Sequence, residues 1–105
     1  MLFTTTETVA GNEITQILGP VSGNVVQSKH IGRDIMAEIK SIVGGELRGY
    51  TELLNEARNI AVQRMLTSAE EKGADAVVGI RFTTSAIMGA SSEILVFGTA
   101  VKLAT

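Results

Sequence analysis

Thr51-Glu52-Leu53-Leu54-Asn55-Glu56-Ala57-Arg58-Asn59-Ile60-Ala61-Val62-Gln63-Arg64-Met65-Leu66-Thr67-Ser68-Ala69-Glu70-Glu71-Lys72-Gly73 is the stretch whose phase decides how the rest of the chain must fold. Leu54, Ala57, Ala61, Met65 and Ala69 recur at the spacing of one helical face, and Leu53, Ile60, Val62 and Leu66 widen it. Thr51 is a natural N-cap, Glu52 suits the positive end of the dipole, and Gly73 suits a helix stop. The spacing predicts a helix from Thr51 to Lys72. At about 100° per residue the apolar positions span more than half the circumference, more than a helix lying on one sheet requires. Ala57, Ala61 and Ser68 near the middle of that arc would let the helix backbone come close to a neighbour. Arg58 and Arg64 project within the arc, where each must find a partner or reach past the apolar rim.

Downstream, Ala76 to Ile87 reads as a strand with Val78, Ile80 and Phe82 on one face and Val77, Arg81, Thr83 and Ser85 on the other. Met88-Gly89-Ala90-Ser91 supplies a turn, and Glu93 to Leu103 returns as the second arm of a hairpin. Leu95, Phe97, Val101 and Leu103 share one face of that arm; Ile94, Val96 and Ala100, also apolar, share the other. Such a strand has one covering layer too few in a small two-layer protein. Either the sheet curls or another subunit covers the second face. The second outcome is expected, with Ile94 and Val96 at the interface.

Upstream, Leu2 to Thr6 is Thr-rich and reads as a short strand, and Gly11-Asn12 as a turn. Glu13 to Gln27 is rich in β-branched residues, with Ile17, Val21 and Val25 on one face and Gly19 and Gly23 between them. Gly19-Pro20 interrupts this strand, and because proline cannot donate to a ladder, a bulge or an edge position is expected there. Ile35, Ile39, Ile42 and Val43 mark a further helix from Gly32 to Val43, with Asp34 near its start and Gly44-Gly45 as its stop. The elements therefore run β-β-α-α-β-β, an α+β fold of two layers with an antiparallel sheet packed on two helices.

A chain of 105 residues suits a single domain spanning its whole length, and one that size hides about 65% of its unfolded surface. Its 45% hydrophobic content is almost all aliphatic, with three Phe, one Tyr and no Trp. The net charge of −2, with nine Lys and Arg scattered from Lys29 to Lys102, argues against nucleic acid, which requires a concentrated basic stripe. Without cysteine there are no disulfides, thiolate metal sites or cysteine nucleophiles. No run approaches the roughly 20 apolar residues of a membrane span, and Thr4, Thr5, Thr6 and Glu7 interrupt any leader-like start. A cytoplasmic location is expected.

Two motifs carry a family resemblance. Ile39-Lys40-Ser41-Ile42-Val43-Gly44-Gly45-Glu46-Leu47, followed by Gly49-Tyr50-Thr51-Glu52-Leu53-Leu54, and then Gly73-Ala74-Asp75-Ala76-Val77-Val78-Gly79-Ile80-Arg81-Phe82 are similar to the hallmarks of the YbjQ family. Thr4-Thr5-Thr6-Glu7-Thr8-Val9 and the strand after it also fit. The resemblance implies a subunit fold of the dodecin type, assembly into a homopentamer, and a family label of heavy-metal binding with no catalytic residue to carry over.

The residues themselves offer few sites. His30, Asp34 and Glu38 are spaced by four, so a helix starting early would align them for a divalent ion through nitrogen and oxygen; otherwise they are a helix start and a solvated face. Soft metals prefer thiolate and imidazole, and one His with no Cys makes tight binding of such metals unexpected. In a ring, however, one carboxylate repeated around an axis would hold a hard cation weakly. Arg48 and Gly49 precede the long helix and would meet an anion at its N-terminus, although Gly44-Gly45 first serve to end a helix. Arg64 is the candidate for an ion pair across subunits, with an acid such as Glu71 or Asp75. Arg81 is expected to be solvated or at an interface. There is no GxSxG, GxGxxG or phosphate-loop pattern, and no cofactor is strongly implied. Two readings remain: a ring-forming structural or binding module, or a small-ligand or metal-binding protein whose sites form at subunit junctions. An enzyme is unsupported.

Overall fold

The structure is a computed structural model that describes residues 1–28, 48–87 and 91–104. Strands β1 (Leu2–Phe3) and β2 (Ile14–Ser28) precede helix α1 (Arg48–Glu71), and β3 (Ala76–Ile87) and β4 (Ser91–Leu103) follow it. The expected helix at residues 32–43 and most of the hairpin turn, residues 88–90, lie outside the described residues. Among those that are described, the protein is a small α+β unit with one helix against a four-stranded sheet.

Strand order is β1-β3-β4-β2. The strand read as apolar on both faces, β4, sits at the centre, antiparallel to β3 on one side and to β2 on the other. The sheet is nevertheless mixed, which corrects the expected all-antiparallel arrangement: β1 pairs parallel with β3. With β4 flanked on both sides, the start of the chain closes the β3 edge instead. There the Thr4 amide donates to the Val77 carbonyl at 3.0 Å, the Ile80 amide to Thr4 at 3.0 Å and the Gly79 amide to Thr6 at 2.8 Å.

The main core lies between α1 and the sheet, where Ala57, Ala61, Met65 and Ala69 meet Val21, Val77, Ile80, Ile94, Val96 and Ala100. The predicted stripe is therefore the buried one. Helix α1 ends as its glycine implied: the Gly73 amide donates to Glu70 at 2.9 Å and the Ala74 amide to Ala69 at 3.1 Å, the paired bonds of a Schellman stop. A second, smaller core of Ala76, Val78 and Val101 lies on the opposite face of the sheet, covered by Val9, Ile14 and Leu103. The N-terminal segment thus supplies part of the third layer that had been expected from another subunit.

Close approach of α1 depends on Gly23. A Cβ built there would collide with the Ala61 carbonyl oxygen and stand 2.5 Å from the Met65 amide nitrogen. The small residues at the centre of the helical arc therefore meet a glycine on β2, and the two backbones touch. Ala61→Leu inserts three heavy atoms into this contact and is expected to cost about 1–3 kcal/mol. Gln63→Leu, on the exposed side of α1, should change stability by less than about 0.5 kcal/mol. Urea midpoints of the two variants check this, and equal midpoints would mean the helix is phased otherwise.

Candidate functional site

Two bulges shape the face of the sheet that α1 leaves open. In β3 the register shifts between Val78 and Arg81, so that Gly79 and Ile80 both stand opposite Gly98. Gly79 adopts a φ of +62° there, a left-handed conformation that glycine tolerates without the cost other residues incur. The extra residue reverses the alternation beyond it. Val78 and Ile80, expected on one face, separate: Ile80 joins Val77 under α1, and Val78 joins the small outer core. Arg81 is thereby turned to the outer face. In β2 the register shifts between Ile17 and Gly19, where Gly19 has a φ of +114°. This is the interruption expected at Gly19-Pro20, and β2 is also an edge strand among the described strands. The bulge moves Ile17 off the face of Val21 and Val25 and leaves it opposite Val101, 70% exposed.

Between these bulges lies a cleft of about 370 Å³ with an aliphatic floor of Ile14, Ile17, Val78 and Val101. Glu7, Arg81 and Thr99 supply its polar groups. One guanidinium nitrogen of Arg81, Nη1, donates to the Thr5 carbonyl at 2.9 Å and to the Ile80 carbonyl at 2.7 Å, which fastens the N-terminal segment over β3. Arg81 was thus expected to be solvated or at an interface; it is exposed, but anchored. The Glu7 carboxylate has no partner among the described residues. A second depression, of about 430 Å³, runs along the outer side of α1 and is lined among the described residues by Glu56, Asn59, Ile60, Gln63, Arg64 and Thr67.

Of the residues singled out from sequence, His30, Asp34 and Glu38 lie outside the described residues. Arg48 and Gly49 are the first two residues of α1. Arg64 reaches back within its own chain to donate to the Asn24 carbonyl of β2 at 2.8 Å, and Arg58 donates to the Asn55 side chain at 3.1 Å. Ile94 and Val96 are buried beneath α1 of the same chain, so this helix already covers the face for which a neighbouring subunit had been expected. The cleft itself was missed because register shifts between strands shape it. A glycine inside an otherwise regular strand, as at Gly79, was the available signal.

Among the described residues no three His, Cys, Asp or Glu side chains gather to hold a metal ion, and the sequence has no cysteine at all. The donor set of these residues does not fit a thiophilic metal. No described helix is long and apolar enough to cross a membrane.

A family described as "Putative heavy-metal-binding" matches residues 1–104. A UPF0145 protein from Psychromonas ingrahamii is 74% identical over 103 residues, 98% of each chain. Another UPF0145 protein, from Thermotoga maritima, is 60% identical over 98% of this chain and 97% of its own. A crystal structure of a DUF74-family protein from Pediococcus pentosaceus aligns with a TM-score of 0.60 over 99% of this chain and 98% of that one. At 17% identity it shows a likeness of fold alone.

Proposed function

The chain belongs to the YbjQ family, and from that premise we propose that it is a self-assembling binding module rather than an enzyme, built as a closed ring of five dodecin-type subunits. The observation that supports this reading is the half of the sheet's outer face that the N-terminal segment leaves uncovered. Phe97 is 41% exposed there and Val26 54% exposed, with Leu95 half-buried beside them. Glu93 ties the end of this surface together, accepting hydrogen bonds from Asn24 at 2.9 Å and Ser85 at 3.4 Å. An ordered sheet face with an apolar centre and a polar margin has the composition of a subunit contact. Assembly of identical subunits would complete the layer that one chain lacks, and closure of the ring would limit its growth.

Light scattering is expected to give a mass near five subunits at micromolar concentration. Phe97→Glu should lower that mass while the helical circular-dichroism signal persists, because a carboxylate at the centre of a subunit contact would be buried unpaired. A parent protein with the mass of one subunit would refute the proposal.

A further inference from the structure

We propose that the outer cleft binds a small aliphatic zwitterion of the α-amino acid or dipeptide class, with its ammonium on Glu7 and its carboxylate on Arg81. These opposite charges line one cleft, yet among the described residues no ion pair joins them. Arg81 commits only Nη1, to the Thr5 and Ile80 carbonyls. Its remaining N–H donors are free for a carboxylate, and the two backbone bonds hold the guanidinium in place before any ligand arrives. Preorganisation of this kind lowers the ordering cost of binding. Glu7 opposes a simple anion or a phosphate, so the ligand must bring a cation as well. The floor of Ile14, Ile17, Val78 and Val101 contains no aromatic ring and suits a branched aliphatic body. At about 370 Å³ the cleft falls at the small end of the roughly 300–1,000 Å³ typical of small-molecule sites, which share its apolar lining and few polar groups.

The test uses the full chain, calorimetry, and NMR of the Ile17 and Val101 methyl groups. The probes are L-leucine, L-leucyl-L-leucine, isocaproate, which carries only the carboxylate, and isoamylamine, which carries only the ammonium. One of the two zwitterions is expected to bind at least about tenfold more tightly than either singly charged analogue and to shift both sets of methyl signals. Glu7→Gln, an exposed change, should abolish that advantage, and by removing a like charge from the cleft it should leave isocaproate binding at least as tight as in the parent. Equal affinities for all four probes, unmoved methyl signals, or a zwitterion advantage that survives Glu7→Gln would each overturn the proposal. Light scattering on the same samples separates this outcome from assembly: every residue of the cleft comes from one chain, so a single-subunit mass would refute the ring and leave the cleft standing.

Discussion

Gly23→Ala is expected to destabilise the protein by about 3 kcal/mol or more, at or beyond the top of the usual overpacking range. The reason is the identity of the neighbours. The added methyl would meet the Ala61 carbonyl oxygen and the Met65 amide nitrogen, and neither backbone group can move aside as a side-chain end can. To admit the methyl, α1 must lift from β2, and the contacts of Ala57, Ala61 and Met65 with the sheet go with it. The sign is diagnostic, because alanine in a strand interior is ordinarily more stable than glycine by roughly 0.5–1 kcal/mol. Ser22→Ala, an exposed change next to it, should stay within about 0.5 kcal/mol of the parent. Urea midpoints measured at one fixed protomer concentration decide the matter, since any assembly makes the midpoint concentration-dependent. A Gly23→Ala protein as stable as the parent would show that α1 is not seated on β2.

Met65→Ala should be nearly as damaging. Met65 is fully buried, one of the largest side chains in the core that are. Truncation removes three heavy atoms from the layer between α1 and the sheet and leaves a cavity that the close-packed backbone at Gly23 cannot collapse to fill. Methionine-to-alanine changes in cores cost about 2–5 kcal/mol, and roughly 3 is expected here. For a chain of this size the thermal midpoint would fall by more than about 10 °C. Glu70→Ala on the exposed side of the same helix is the matched control and should shift it little. If the two variants melted together, the burial of Met65 would be wrong.

The unequal expected effects of substitutions on the buried and exposed sides show where the fold was legible. The phase of α1 could be read from Leu54, Ala57, Ala61, Met65 and Ala69, because only one face of a helix can carry that spacing to a core. Ala61 and Gln63 accordingly fall on the buried and exposed sides that their positions predict. The double apolar character of β4 was equally visible, and it corresponds to a central strand with a core on each face. Its source of cover was not visible. Part of it comes from Val9 of the same chain, in the segment that follows a parallel β1–β3 pairing which no local pattern announces.

Local sequence thus determined the long helix and its buried stripe, its stop at Gly73, the strands on either side, and the irregularity at Gly19-Pro20. These depend on periodicity and on the conformational limits of glycine and proline, which act within a few residues. Tertiary structure alone decided the place of β1, the bulge at Gly79 and the cleft that both bulges open. Each of these rests on partners far apart in the chain. Gly79 can bulge because Gly98 stands opposite and the Thr6 carbonyl receives its amide. Arg81 faces outward because that bulge reverses the strand's alternation. A side chain's face is a count of residues from the last register shift, and a register shift is a property of two strands together.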